Sequence, residues 1–113
     1  MKTKSDIKTN KEGVGLKPAH PGEILLLEFL QPVEVSQYRL AKATKISVSR
    51  INDLIKGRRG ITPDTAIRLG AALGVSADFW LNLQRDYDLR IARAEMAGEY
   101  AAITVMPELV AAA

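Results

Sequence analysis

Apolar residues recur at helical spacing through most of this chain, and their pattern is most specific between Gln37 and Lys56. In that segment, QYRLAKATKISVSRINDLIK, Leu40 and Ala41 precede a short break, Ile46 follows it, and Ile51 and Leu54 recur beyond. The spacing predicts two short helices crossing steeply through a tight turn, with Leu40, Ile46, Ile51 and Leu54 converging on one inner face. Ala41, the fifth residue, is the small side chain that lets the second helix approach the backbone of the first. Ser36 and Ser47 are the predicted N-caps, because a serine oxygen accepts a free first-turn N–H. Gly57 is the predicted end of the second helix.

The flanking segments read as three further helices. One begins near Pro21 and runs through Ile24, Leu27 and Leu30 until Pro32 stops it. Another opens at Thr62-Pro63-Asp64, which supplies a cap, a first-turn proline and an acid suited to the positive end of the helix dipole. Its apolar positions are Ala66, Leu69 and Leu73, and Gly74 is the predicted left-handed terminator. Ser76 starts the last helix with Asp78 in its first turn, and Trp80, Leu83, Tyr87 and Ile91 share one stripe. Trp80 and Tyr87 are therefore read as core residues.

The predicted fold class is all-α, a single five-helix domain spanning residues 20–96. Residues 1–19 lack periodic apolar positions and read as a flexible tail. Residues 97–113 form a C-terminal tail in which Gly98 interrupts the helix. The β-favouring triplet Ile103-Thr104-Val105, closed by Pro107, suits a short edge strand or an unstructured end.

With 113 residues, 47% of them hydrophobic and 26% charged, the chain has the composition of one soluble domain. The absence of cysteine excludes a disulfide scaffold, thiol catalysis and thiolate metal sites. His20 has no second histidine to share a metal with, so its expected role is at the entry of the first helix. No paired carboxylates or nucleophile with a base stand at useful spacing, so no enzyme and no cofactor is implied. The longest apolar run, Ile24 to Leu27, is far too short to span a bilayer, and the start of the chain lacks the apolar stretch of a leader. A cytoplasmic location is the expectation.

Charge changes the picture more than composition does. The net charge is only +3, but it is unevenly placed. Residues 36–60 hold Arg39, Lys42, Lys45, Arg50, Lys56, Arg58 and Arg59 against Asp53 alone, a local balance of +6. Residues 1–35 balance to zero and residues 61–113 to −3. The lysines at 2, 4, 8, 11 and 17 are most simply solvated. Positive charge concentrated on the two-helix motif orients the chain toward a polyanion, and double-stranded DNA becomes the leading partner.

In that reading the second motif helix enters the major groove and its outward N-terminal side chains meet base edges. Val48 would touch a thymine methyl, Ser49 would donate or accept, Asn52 would pair with adenine, and Asp53 would accept from cytosine. Arg50 is placed to reach either guanine or a phosphate. Gln37, Lys56, Arg58 and Arg59 suit the phosphate rim, with Gly57 and Gly60 letting the backbone turn around the arginines. Lys45 in the turn and Ser47 at the helix start complete the DNA-facing set. If Lys45 has a positive φ, it costs on the order of 1 kcal/mol relative to glycine.

From His20 to Leu89 the chain resembles the HigA family of antitoxins, a branch of the Cro and phage-repressor-like (lambda-repressor-like, XRE-type) helix-turn-helix proteins. The resemblance rests on an ordered train: His20-Pro21-Gly22-Glu23-Ile24-Leu25, Ser36-Gln37 with Leu40-Ala41, and Ser47 with Arg50-Ile51-Asn52. It continues through Gly57-Arg58-Arg59, Ile61-Thr62, Thr65-Ala66-Ile67-Arg68-Leu69, Leu73-Gly74, Phe79-Trp80-Leu81-Asn82-Leu83-Gln84 and Tyr87-Asp88-Leu89. It implies a dimeric repressor that binds an operator at its own operon and neutralises a cognate RNA-cleaving toxin. Two other readings remain open: a stand-alone regulator with no toxin partner, and a helical module whose basic face meets an acidic protein.

Overall fold

The computed structural model describes residues 17–112, so the flexible-tail expectation for residues 1–19 lies almost wholly outside it. Within the described residues every regular element is helical, in agreement with the predicted class. The first helix, α1 (Pro21–Ile24), opens at His20, whose Nδ1 accepts the Gly22 N–H at 2.9 Å. Pro21 fills the first helical position, where a missing N–H costs nothing. A Cβ on Gly22 would run into the Leu54 carbonyl, so α1 rests directly on backbone of the motif's second helix.

Beyond Ile24 the structure departs from the expected stripe. The helix continues as a π-helical stretch, Leu25–Leu30, and closes in a 3-10 turn, Gln31–Val33. Bonds from i to i+5 bring residues five apart nearly above one another, which is why Leu25 and Leu30 are both buried while Leu27 is 47% exposed. Pro32 does not stop the helix. It sits inside the 3-10 turn, and the termination falls on Glu34, which adopts the left-handed conformation at φ 56°.

Four helices follow with the expected caps: α2 (Gln37–Thr44), α3 (Val48–Ile55), α4 (Pro63–Leu73) and α5 (Ala77–Glu95). Thr62 and Ser76 accept first-turn N–H groups of α4 and α5, and Gly74 ends α4 at φ 76°. The core runs from Leu25 and Leu30 through Leu40, Ile46, Ile51 and Leu54 to Ala66, Leu69 and Trp80. Trp80 is fully buried, with ring centroids 4.9 Å from Phe29 and 5.1 Å from Phe79. Tyr87 is half-buried and meets the His20 ring edge-on at 4.9 Å.

The C-terminal expectation needs correcting. The break comes at Met96 (φ −123°, ψ 30°), and Gly98 lies inside a short helix, α6 (Ala97–Ala101). Ile103-Thr104-Val105 forms no strand, since no other strand exists among the described residues to pair with it. The chain turns helical again in α7 (Pro107–Ala112).

Candidate nucleic-acid interface

Local sequence fixes the angle between α2 and α3. Ser36 Oγ accepts the Arg39 N–H at 3.0 Å to start α2, and Ser47 Oγ accepts the Arg50 N–H at 3.1 Å to start α3. Between them Lys45 takes the left-handed conformation, φ 62° and ψ 30°, where a lysine bears the steric cost that glycine avoids. The turn is held by polar groups. Thr44, almost fully buried, donates its hydroxyl to the Leu40 carbonyl at 2.8 Å, and its Oγ1 accepts the Ile46 N–H at 3.3 Å. Ile46 N–H also donates to the Ala41 carbonyl at 3.2 Å.

Helix α3 then divides cleanly. Ile51 and Leu54 are buried, whereas Val48, Ser49 and Lys56 are exposed and Asn52 and Asp53 are half-buried. Positions 48, 49, 52, 53 and 56 share one outward face, as helical spacing requires. Asn52 Nδ2 donates to Gln37 Oε1 at 3.2 Å, joining the start of α2 to the middle of α3. That bond uses one amide hydrogen of Asn52 and leaves its oxygen and second hydrogen for the bidentate adenine pattern. Gln37 keeps its own amide hydrogens, the donors a phosphate needs.

The basic residues are not all equally available. Arg58 Nη1 lies 3.1 Å from Asp53 Oδ1 in an exposed ion pair, so contact of either residue with DNA requires that pair to exchange. Lys45, Lys56 and Arg59 are exposed. Arg50 departs from expectation: its guanidinium turns toward α4, donating from Nη2 to Thr65 Oγ1 at 3.3 Å and lying 3.8 Å from Asp64 Oδ2. This turns its charge toward α4 and away from the outward face of α3.

The loop after α3 carries Arg58 and Arg59 and is anchored from a distance. Gly57 has the expected positive φ of 79°. Gly60 does not; its smallness serves a close approach, because a Cβ there would sit 3.0 Å from the Gln84 side chain. Gln84 on α5 accepts the Ile61 N–H through Oε1 at 2.7 Å and donates through Nε2 to Asp88 at 2.9 Å. This pins the basic loop to the body.

A helix-turn-helix family model matches residues 26–80, which contain α2, α3 and α4 and reach Trp80. The virulence-associated protein I of Dichelobacter nodosus is 52% identical over 73 residues, covering 65% of this chain and 68% of that protein. Antitoxin HigA-1 of Vibrio cholerae is 40% identical over 73 residues, covering 65% and 69%. The solved structure of the Pseudomonas aeruginosa antitoxin HigA with the higBA promoter superposes with a TM-score of 0.72 at 44% identity, covering 80% of this chain and 98% of that one. The chain belongs to the HigA branch of the helix-turn-helix family.

Within this HigA-type scaffold, four residues outside the predicted site shape it: Thr44, Thr65, Arg68 and Gln84. Each acts through a tertiary hydrogen bond or a side chain-to-backbone bond, which apolar periodicity does not report. Among the described residues no helix is long and apolar enough to cross a membrane.

Proposed function

We propose that this protein is a DNA-binding antitoxin that represses its own operon and neutralises a cognate ribonuclease toxin, acting without catalysis in the cytoplasm. The observation that carries the reading is the outward face of α3, with Val48, Ser49 and Asn52 free of the core and flanked by exposed Lys45, Lys56, Arg58 and Arg59. Base edges would be read by Val48, Ser49, Asn52 and, once released from Arg58, Asp53. Gln37, Ser47, Lys45, Lys56, Arg58 and Arg59 would hold phosphates and set affinity. The relative bound to the higBA promoter and the relative named antitoxin HigA-1 support both halves of the reading.

The unit that binds would be a homodimer. One recognition helix covers only a few base pairs, so two copies placed about one DNA turn apart would read two half-sites. The exposed apolar residues beyond Tyr87 supply surface for the pairing: Leu89, Met96, Tyr100, Ile103, Val105 and Met106.

The test is titration of duplex DNA from the chain's own promoter, and of a random duplex, across several salt concentrations. Binding is expected to weaken steeply with salt. Asn52→Ala should relax preference at one base pair, a loss of about 1–3 kcal/mol of discrimination, with random-DNA binding unchanged. Arg58→Ala should weaken binding to both duplexes and flatten the salt slope by about one unit. Salt-independent binding, or equal loss on both duplexes for Asn52→Ala, would overturn the assignment. Co-purification with the product of the neighbouring reading frame tests the toxin half of the proposal.

A further inference from the structure

Three groups of α4 reach into the helix-turn-helix, and Asp64 is shared between two arginines. Arg68 Nε donates to Asp64 Oδ1 and Oδ2 at 3.1 and 3.0 Å, while its Nη1 donates to the Thr44 carbonyl at 3.1 Å, at the last turn of α2. Arg50, from the first turn of α3, approaches the same carboxylate at 3.8 Å and donates to Thr65 Oγ1. Its Nε is buried with no hydrogen-bond partner among the described residues. The side chain as a whole is 37% exposed, so it is turned toward α4 rather than enclosed.

We infer that Asp64 is a specificity-determining residue that contacts no base: it holds Arg50 off the duplex. The inference rests on the DNA-binding reading of α3. An arginine on the first turn of a groove-entering helix, left free, adds phosphate attraction that every sequence shares. Held by Asp64 and Thr65, it leaves the outward surface of that turn to the uncharged Val48 and Ser49, with the amide of Asn52 one turn on. Discrimination then rests on groups that read base edges. Asp64 is accordingly a positioning residue acting on Arg50, and the cations that face phosphate are those of the turn and of the loop after α3.

The experiment compares four chains, the parent, Asp64→Asn, Arg50→Ala and the double variant, on promoter and random duplexes over a range of salt. Asparagine keeps an oxygen for Arg68 but removes the charge that attracts both arginines, and the double variant separates the share of Arg50 from that of Arg68. Asp64→Asn is expected to bind random DNA more tightly, with a salt slope steeper by about 0.9, and to lose promoter-over-random preference. Arg50→Ala is expected to leave the slope at the parent's value, and the double variant to return to it. An unchanged slope in Asp64→Asn, or a steepening that persists in the double variant, overturns the inference. So does a flatter slope in Arg50→Ala.

A parent that fails to bind any duplex refutes the DNA-binding reading instead. The Arg50 Nε–H resonance of the free protein still judges the pairing. Slow solvent exchange in the parent and faster exchange in Asp64→Asn support it, and fast exchange in both contradicts it.

Discussion

The body of the molecule and its C-terminal end are built from similar residues but behave oppositely. From His20 to Glu95 each helix has a cap and an apolar stripe that finds a partner, and the stripes meet at Trp80, Leu69 and Ile51. Beyond Met96 the residues are as apolar, yet every described side chain from residue 96 to residue 110 is exposed. The difference lies in reach rather than composition. Helix α5 is 19 residues long, about 28 Å at 1.5 Å per residue, and it carries the end of the chain past the core. In the proposed dimer, this unpartnered apolar surface is where a second copy would pack.

Trp80→Ala sharpens this contrast most. Removing a fully buried indole should cost about 3–5 kcal/mol, read as a shift in the denaturant midpoint, whereas Ile103→Ala, on a 74% exposed residue, should stay within about 0.5 kcal/mol where monomers prevail. A comparable loss at both positions would erase the distinction. Ser47→Ala comes next, costing about 1 kcal/mol by freeing the first-turn N–H of α3. Thermal melts with and without DNA would show whether that loss also loosens the interface.

The pH effect at His20 is smaller. Burial lowers its pKa below the usual 6.5, while Asp88 and Glu23 oppose the shift. The folded state thus binds the proton less readily than the unfolded one. Stability should decline as pH falls through 6.5 toward the lowered native value and level off below it. Protonation also removes the Nδ1 lone pair that caps α1. His20→Asn, which caps without titrating, should abolish that component; an identical pH profile in the variant would assign the dependence elsewhere. The smallest effect on the body is expected from deleting residues 103–113. At concentrations where monomers prevail its melting midpoint should not move, while sedimentation should show weaker self-association.

Much of this was legible in the residues because it is local. Ser36, Ser47, Thr62 and Ser76 cap the helices they precede, and Gly57 and Gly74 turn left-handed after the helices they end. The division of α3 into buried Ile51 and Leu54 and outward Val48 and Ser49 follows from a 3.6-residue period. What escaped depends on partners distant in sequence or on a change of period. Leu27 fits an α-helical stripe, but the π-helical stretch rotates Leu25 and Leu30 inward in its place. Arg50 reads as a DNA ligand until Asp64 and Thr65 arrive beside it, and nothing in the spacing announces that meeting. Gly60 reads as a turn residue, yet the Gln84 side chain is what requires it to be small. Ile103-Thr104-Val105 has strand propensity but no strand to pair with, and propensity alone does not make a sheet.

The central claim is that the outward face of α3, supported by α4 and α5, is the surface that meets duplex DNA. Its most direct test is amide chemical-shift mapping of the labelled protein titrated with its own promoter duplex. The account predicts that the largest shifts fall on residues 36–37, 45–53 and 56–60, with α5 little changed beyond Gln84. Shifts concentrated on the C-terminal half of α5 and on α6, with Ser49 and Asn52 unmoved, would contradict it.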